Sequence, residues 1–314
     1  EFKENLIYKP VIGFGAGVLN FHGDVRNNYF NPVIGDNAFK INLSAFIDSD
    51  RYFKSNFFLI IGSLSGNLKS LSDLSSNLNF KTDIVDIGLN IEYSFDHFIN
   101  RKSWIKPFLS AGIENIQFNP KGDLMNNEGV FYNYWTDGTI RDIPEHEGLQ
   151  QPFTILQRDY IYETDLRTWE RERYGYGGYS KNTFSVPLDA GIDFKITDRL
   201  SCRLGTSVHF TLTDFLDNVS SAGTYIKGGK KNDIFSYNYF SVHLDLFSRH
   251  KKKLTDKLFS EQVFDDIMFG DQDNDGVFNH ADDCPDTPSG IIVDEKGCPI
   301  DTDNDGIPDY LDKE

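Results

Sequence analysis

The chain has 314 residues, a formal net charge of −17, and no apolar run near the ~20 residues that a transmembrane helix needs. The acidity is concentrated in residues 271–314, where 14 acidic residues and two lysines give −12 and leave −5 for the rest of the chain. This distribution argues against nucleic acid as a partner and towards cations. Abundant Phe, Tyr and Gly favour an all-β protein with aromatic strands and glycine-rich bends. The start Glu1-Phe2-Lys3 shows no signal-peptide pattern, which predicts mature sequence.

Eight segments alternate apolar and polar residues, as strands with one apolar face do. The most regular pair lies within residues 183–213, where a tight break at Thr197-Asp198-Arg199 separates two alternating stretches. In the segment 55–66 the run FFLIIGSL is apolar at both parities, so its faces are not assigned. The eight predicted strands, in chain order, are 9–22, 38–48, 55–66, 80–95, 104–118, 183–196, 200–213 and 235–247.

The seven connections between these segments alternate long, short, long, short, long, short and long. Bacterial outer-membrane barrels have this arrangement, with an even strand number, short periplasmic turns and long external loops. A soluble β-sandwich also has alternating strands, but it has no reason to segregate loop lengths so regularly. We therefore predict an all-β fold: an eight-stranded antiparallel transmembrane β-barrel over residues 1–248, followed by an irregular calcium-binding repeat tail.

The polar parity of the predicted strands carries ten charged or titratable residues, which a barrel of this kind turns inward. Eight strands leave an interior filled by side chains, so these groups are expected to pair with one another in a plug. An open pore is not expected. The ten residues are Lys40, Asp86, Glu92, Glu114, Asp189, Asp193, Lys195, Arg203, His209 and Asp245.

The long external loop, residues 119–182, is aromatic and charged and contains FYNYWTDGTIRDIPE. Asp137-Gly138, between FYNYW and TIRDI, predicts a two-residue hairpin turn. Binding surfaces favour Tyr, Trp and Arg, and loops of this length are usually functional or disordered. The alternative is that these aromatics form only the loop's own small core and an interfacial girdle. The sequence does not decide between these two interpretations.

Residues 249–270 are predicted to form a periplasmic linker with a short helix. A basic cluster at 248–253 follows the last strand. It is interpreted either as a solvated cluster or as a contact with anionic lipid head groups. Apolar residues near helical spacing in 254–268 then predict a short amphipathic helix.

The strongest chemical signal is a pair of acidic repeats, DQDNDGV and DTDNDGI, in residues 271–314. Each has oxygen donors at positions 1, 3, 5, 9 and 12, a glycine at position 6 and a backbone carbonyl available at position 7. Calcium takes about six to eight hard oxygen ligands, and the glycine permits the sharp turn that brings alternate residues onto one ion. An EF-hand is disfavoured, because position 12 is Asp and Pro308 interrupts the second loop. The predicted Ca²⁺ ligands are Asp271, Asp273, Asp275, Val277, Asn279, Asp282, Asp301, Asp303, Asp305, Ile307, Asp309 and Asp312.

Two cysteines lie in the same tail. Cys284 and Cys298 are close in sequence and flanked by Asp and Pro, which predicts a disulfide formed in an oxidising compartment. The coincidence of a cysteine pair with two twelve-residue registers argues against a flexible acidic linker.

The tail DQDNDGVFNHADDCPDTPSGIIVDEKGCPIDTDNDGIPDYLDKE resembles the thrombospondin type 3 repeats of OmpA-like outer-membrane proteins of Bacteroidota. The resemblance covers these forty-odd residues tightly, and NFHGD and YWTDGTIRD extend it to the barrel. It implies that residues 271–314 form a stiff spacer stapled by calcium. It also implies a following periplasmic domain that binds peptidoglycan, so peptidoglycan is expected as a partner only if such a domain follows residue 314.

The expected function is non-enzymatic. The seven histidines show no metal-ligand spacing, and no Ser-His-Asp grouping is evident. The expected location is the bacterial outer membrane, in contact with its lipid and with the tail in the periplasm. Two overlapping roles fit: a structural protein whose tail spaces or tethers the barrel, and an accessory subunit that docks with partner proteins in a larger outer-membrane complex. The alternative is a surface-exposed receptor or adhesin that acts through the long external loop.

Overall fold

Twelve strands, all in the first of two compact units, are found among the described residues of the computed structural model. The units are Glu1–Ser248 and Arg249–Glu314. Within the part of the chain that the structure describes, no helix has the length and apolar character needed to cross a bilayer. The basic cluster at 248–253 and the helix predicted at 254–268 lie outside the described residues. The structure describes residues 10–26, 33–70, 73–74, 77–95, 98, 104–146, 148, 151–169, 178–197, 199–222, 228–247 and 270–313.

Eight long strands close into a barrel. Each pairs antiparallel with the next long strand along the chain, and the last pairs antiparallel with the first, so the ring closes between β12 and β1. The predicted eight-stranded antiparallel closed sheet is therefore confirmed, and every predicted segment overlaps one of these strands. The twelve strands are β1 (Val11–His22), β2 (Asp36–Phe46), β3 (Phe53–Leu68), β4 (Leu78–Ser94), β5 (Ile105–Gly122), β6 (Asn133–Tyr134), β7 (Ile140–Arg141), β8 (Ile155–Leu156), β9 (Thr164–Asp165), β10 (Asn182–Lys195), β11 (Leu200–Thr211) and β12 (Ile234–Asp245).

The connections follow the predicted alternation of length with one exception. Because β3 and β4 are longer than predicted, residues 69–77 between them are no longer than residues 95–104, which join β4 to β5. β5 also continues to Gly122, which moves the start of the long connection from the predicted residue 119 to residue 123. Both corrections have one physical cause, a change of face polarity within the strands.

The polarity of the barrel wall reverses part-way along β4. Near the short turns, residues 85–91 expose apolar side chains on the outer face, while residues 86–94 bury polar side chains on the inner face. Nearer the long connections the order is opposite: Asp83 is exposed outside, and Phe80 and Ile84 are buried inside. The apolar side chains therefore change from the outer to the inner face near residue 84. A prediction that requires strict alternation places the end of the strand too early.

The structure assigns the faces of β3 that the sequence left open. Asn56, Phe58 and Ile60 are buried inside the barrel, whereas Phe57 and Ile61 are exposed outside. Both parities are apolar here because β3 contributes to the outer surface and to an apolar part of the interior at the same height.

The charged side chains inside the barrel form ion pairs, as predicted. Arg203 contacts Glu92 (Nη1 to Oε2, 2.8 Å) and Asp193 (Nη2 to Oδ2, 2.8 Å). Lys54, which the predicted strand boundary missed, contacts Glu92 at 2.7 Å and Asp193 at 3.6 Å. Two cations thus neutralise two anions, which limits the cost of burying all four.

A second ion pair lies further along the interior. Lys40 Nζ is 3.3 Å from Asp189 Oδ2, and the Tyr239 hydroxyl donates a hydrogen bond to the same oxygen at 2.7 Å. Two residues predicted to belong to the interior plug, Lys195 and Asp245, lie instead at the short-turn mouth, where they line a cavity of about 190 Å³. These two strand ends meet solvent because the barrel wall stops there.

An apolar core fills the barrel at the end that carries the long connections. Leu19, Phe80, Ile116, Phe235 and Tyr237 belong to one cluster and are each at most 1% exposed. Described side chains therefore occupy both halves of the interior, with ion pairs towards the short turns and packed apolar groups towards the long connections.

The long connection 123–181 has secondary structure of its own. β6, β7 and β8 form a small three-stranded sheet, and the predicted hairpin is present between β6 and β7. Its turn differs from the predicted two-residue one: the Gly138 amide donates to the Trp135 carbonyl at 2.9 Å, so Thr136 and Asp137 form the turn and Gly138 (φ +83°) follows them. The guanidinium of Arg141 lies 3.8 Å from the ring centroids of both Trp135 and Phe153. These aromatics thus form a core within the connection, in line with the second interpretation of its composition.

Candidate metal loops and a cavity under the long connection

The first acidic repeat of the second unit folds into a tight loop. The Gly276 amide donates to Asp271 Oδ2 at 3.0 Å, and the Val277 amide donates to Asp275 Oδ1 at 2.8 Å. Gly276 has φ of +98°, a conformation that favours glycine and permits the turn. Position 6 therefore has the role that the sequence pattern assigned to it.

The second repeat adopts the same loop. The Gly306 amide donates to Asp301 Oδ2 at 2.9 Å, the Ile307 amide donates to Asp305 Oδ1 at 2.8 Å, and Gly306 has φ of +92°. Ligand oxygens of Asp301, Asp303 and Asp305 lie within 4.8 Å of one another. The carboxylates of this repeat are more exposed than those of the first.

In the first repeat the carboxylates converge on a space without hydrogen-bond donors. Ligand oxygens of Asp271, Asp273 and Asp275 lie within 4.8 Å of one another. One oxygen of each residue is shielded from solvent and has no hydrogen-bond partner. Three anionic oxygens in such an arrangement repel one another unless a cation lies between them. Hard carboxylate oxygens suit Ca²⁺, so the donor set fits the predicted ion.

The predicted ligands at position 9 of each repeat accept hydrogen bonds from the residue at position 2 of the same repeat. Asn279 Oδ1 accepts a hydrogen bond from the Gln272 amide at 2.8 Å. Asp309 accepts hydrogen bonds from the Thr302 amide and hydroxyl, both at 2.7 Å, and these bonds lower the pKa of Asp309. Because these oxygens already have partners, direct ligation of calcium by Asn279 and Asp309 stays a prediction.

The predicted ligands at position 12 differ in their surroundings. A side-chain Cβ at Gly297 would lie 2.1 Å from Asp282 Oδ1 and 3.0 Å from Asp275 Oδ2, so both carboxylates approach this glycine. The first loop thus gains a fourth nearby carboxylate. The Asp312 amide donates to the Pro308 carbonyl at 3.1 Å, and ligation by the Asp312 side chain stays a prediction.

The predicted disulfide between Cys284 and Cys298 is confirmed, with a Cα–Cα distance of 5.1 Å. The buried Thr287 connects it to the first loop: its hydroxyl donates to the Gly297 carbonyl at 2.9 Å, and its amide donates to Asp273 Oδ2 at 2.8 Å. The covalent link and the first acidic loop therefore stabilise the same piece of chain.

The first unit contains a cavity of about 490 Å³ between the barrel rim and the long connection. Val25 and Val219 line it from the rim, and Leu124, Tyr132 and Trp169 line it from the connection. Its volume lies within the roughly 300–1,000 Å³ typical of small-molecule sites. Sequence analysis did not find this cavity, because its walls come from parts of the chain far apart in sequence.

One carboxylate in the wall of this cavity is buried with an unused acceptor. Asp123 is 1% exposed; its Oδ2 accepts from Arg158 Nε at 2.7 Å, and its Oδ1 has no partner. Burial raises the pKa of Asp123, and the Arg158 contact opposes this change. Asn79 holds the backbone of Asp123 through two hydrogen bonds, at 2.8 and 3.1 Å. Asp123 Oδ1 is therefore a buried acceptor in the cavity wall without a hydrogen-bond partner.

A buried chain of hydrogen bonds inside the barrel also escaped sequence analysis. Ser207 Oγ lies 2.8 Å from His209 Nε2, and His209 Nδ1 lies 2.7 Å from Glu114 Oε1. These residue types can form a nucleophile–base–acid relay. Each of the three is at most 2% exposed, so an external substrate does not reach Ser207. All three belong to the inward parity, but only the closed barrel brings β5 and β11 together.

Comparisons with known proteins add solved structures of low similarity. No protein-family model and no curated protein matches the chain. Neisserial surface protein A (NspA) shares 9% identity at a TM-score of 0.38, over 76% of this chain and 97% of its own. A major outer membrane protein from Thermus thermophilus shares 8% at 0.37, over 75% and 99%. The outer membrane enzyme PagL shares 13% at 0.30, over 74% and 97%. Such values carry no conclusion about function, and the barrel assignment depends on the strand pairing.

Proposed function

We propose that the chain is a non-enzymatic, OmpA-like outer-membrane barrel plugged by its own side chains, whose second unit is a periplasmic spacer stabilised by calcium. In this role the spacer holds the barrel at a fixed distance from a periplasmic or membrane partner. The barrel would act as an accessory subunit of a larger outer-membrane protein complex. The observation that carries the proposal is the apolar belt on the outer face.

The belt includes exposed apolar side chains from strands on several sides of the barrel. Phe39, Leu89, Ile113, Phe184 and Leu204, from five different strands, are each 52–67% exposed. Monomeric soluble proteins rarely expose contiguous apolar patches larger than a few hundred Å². Exposure to water costs about 25 cal/mol per Å² of apolar surface, whereas the hydrocarbon of a bilayer removes this cost. A membrane environment therefore explains the belt.

The ends of the barrel support a definite orientation. Barrels of this class have short turns in the periplasm and long loops outside. Val11 at the start of β1 pairs with Asp245 at the end of β12, so both termini of the barrel lie on the short-turn side. In this orientation the chain leaves β12 on the periplasmic side, which supports a periplasmic tail.

Reconstitution tests the membrane assignment. The full chain, folded in detergent and mixed with phospholipid, is expected to float with the vesicles and to resist extraction at alkaline pH. The vesicles should not become permeable to small sugars, because side chains fill the interior. A detergent-free, monodisperse particle in aqueous buffer would contradict the assignment.

Calorimetric titration with calcium tests the spacer. We expect two Ca²⁺ ions per chain, with Asp273→Asn and Asp303→Asn each removing one of them. The first loop should bind more tightly, because its unpaired oxygens are already shielded from solvent. Asp286→Asn, at an exposed acidic residue outside both loops, is the matched control and should leave both ions bound. No uptake at saturating calcium would remove this part of the proposal.

Co-purification tests the accessory role. The tagged chain, extracted from native membranes in mild detergent, is expected to bring one or more outer-membrane proteins in constant ratio. Recovery of the barrel alone, with its calcium intact, would contradict the accessory role and leave the spacer role unaffected.

A second candidate function is that of a surface receptor, which the 490 Å³ cavity favours. Its wall combines apolar side chains such as Leu124 and Trp169 with polar ones such as Asn77, and suits an apolar molecule with one hydrogen-bond donor. The fluorescent amine N-phenyl-1-naphthylamine is such a probe. Binding above the background of empty lipid discs would support this function if Leu124→Trp abolishes it. Ile155→Trp, on the exposed part of the connection, is the control and should retain binding. Equal binding by both variants would refute it.

A further inference from the structure

Two carboxylates flank the buried His209 inside the barrel. His209 Nδ1 lies 2.7 Å from Glu114 Oε1 and 3.7 Å from Asp86 Oδ2. One ligand atom from each residue lies within 4.8 Å of the other two. Asp86 is fully buried, and the other two are at most 2% exposed. Because the three residues belong to β4, β5 and β11, only closure of the barrel assembles the cluster.

The cluster contains more acceptors than donors. Both oxygens of Asp86 and Glu114 Oε2 are shielded from solvent and have no cationic partner within hydrogen-bond distance. The Ser185 hydroxyl, from the residue opposite Glu114 in the β5–β10 register, is a neutral group beside Glu114 and supplies no charge. A buried carboxylate with unpaired oxygens destabilises the fold strongly unless a cation or a proton compensates it. These unpaired oxygens point to a missing positive species.

The charges inside the barrel lead independently to the same conclusion. Among the described barrel-strand residues that are buried, two carry positive charge and four carry negative charge, if histidine is counted as neutral. The difference is two, and the other two carboxylates already have cationic partners, Glu92 with Arg203 and Asp189 with Lys40. The positive residues are Lys40 and Arg203, and the negative residues are Asp86, Glu92, Glu114 and Asp189.

We propose that Asp86, Glu114 and His209 bind one divalent metal ion as the barrel folds, with Zn²⁺ as the ion of best fit. Zinc takes imidazole nitrogen and carboxylate oxygen at about 2.0–2.1 Å, so tetrahedral donors lie about 3.3 Å apart. The observed separations of 2.7 and 3.7 Å bracket this value. Calcium prefers oxygen ligands alone and suits a site with an imidazole less well. The ion's two charges cancel the imbalance.

Metal retention after refolding tests this site. The full-length protein is refolded in detergent with saturating Ca²⁺ and with Zn²⁺, treated with a zinc-selective chelator, and analysed for metal after gel filtration. Wild type should retain one zinc per chain, whereas His209→Gln should retain less than about one tenth of that. His243→Gln is the matched control, because His243 is also a buried, inward histidine and bonds Ser241 at 2.8 Å; it should keep the ion.

If His209→Gln does not fold, a measurement on the wild-type protein alone still tests the proposal. Refolding with Co²⁺ in place of zinc should give the visible absorption of a tetrahedral nitrogen–oxygen site, and excess Zn²⁺ during refolding should abolish it. Wild type without retained zinc or cobalt absorption would overturn the proposal, because bound protons would then balance the two charges. Retention by His209→Gln equal to wild type would also overturn it, because the ion would lie elsewhere.

Discussion

Replacing Arg203 with methionine should destabilise the barrel more than any change at its surface. The guanidinium makes two hydrogen bonds to Glu92, at 2.8 and 3.0 Å, and further contacts to Asp193. Its side chain is 7% exposed and lies 3.8 Å from the Phe108 ring centroid. Arg203→Met keeps most of the volume but leaves two buried carboxylates with Lys54 as their remaining cationic partner among the described residues.

The magnitude follows from this geometry. Removing one partner of a buried ion pair costs about 3–5 kcal/mol, chiefly because the other charge stays buried without compensation. Neutralising the carboxylates should reverse most of this loss. The variant that combines Arg203→Met with Glu92→Gln and Asp193→Asn is therefore expected within about 2 kcal/mol of wild type, since a neutral, similarly shaped interior needs no counter-ion.

Urea unfolding in phospholipid vesicles, followed by tryptophan fluorescence, measures the free energy of unfolding of each variant. The comparison should include Lys195→Met at the exposed mouth, expected within about 1 kcal/mol of wild type. Two results would refute the reasoning: a loss below about 0.5 kcal/mol for Arg203→Met, or a combined variant less stable than the single one.

Three further changes test other parts of the structure. Leu89→Arg in the outer belt should cost about 2–4 kcal/mol in vesicles, whereas Gln117→Arg, outside the belt, should change stability by less than about 1 kcal/mol; equal costs would disprove the belt. Burial and the neighbouring Asp217 raise the pKa of Asp233 to about 9, so the folded state holds a proton that the unfolded chain releases above pH ~4. Urea midpoints of wild type should therefore fall between pH 5 and 8, and those of Asp233→Asn should fall less. Cys298→Ser should remove about 3 kcal/mol of stabilisation from the tail, seen as faster proteolysis of residues 270–313 in calcium; unchanged proteolysis would contradict this.

Strand number and barrel closure were predictable because the outer parity is uniformly apolar around the ring. The prediction failed where that uniformity ends. In β4 the apolar side chains lie on the outer face from Val85 onwards and on the inner face up to Ile84. A rule that expects one apolar face along the whole strand loses its signal there, and the predicted segment begins at residue 80 and misses residues 78 and 79. The same rule could not assign β3, where Phe57 and Phe58 are both apolar for different reasons, one facing outward and one packed in the core.

The two candidate sites differ in predictability for a physical reason. All donors of an acidic loop lie within twelve residues, so their spacing alone indicates that they converge, and Gly276 signals the turn. The cavity and the interior cluster depend on contacts such as Glu114 to His209, which are 95 residues apart. Parity placed both side chains inside the barrel, but the height at which they meet depends on strand register, which the sequence does not encode locally.

The reversed polarity of β3–β5 has a consequence for membrane insertion in the orientation proposed above. A barrel delivered from the periplasm would pass its long-connection end through the hydrocarbon before the apolar belt could settle there. On this chain that leading section carries Asp83, Asn115 and Gln117 on its outer wall, so its passage would require transient hydration of the bilayer interior. Return would require the same unfavourable step, so the section that slows insertion would also retain the inserted protein.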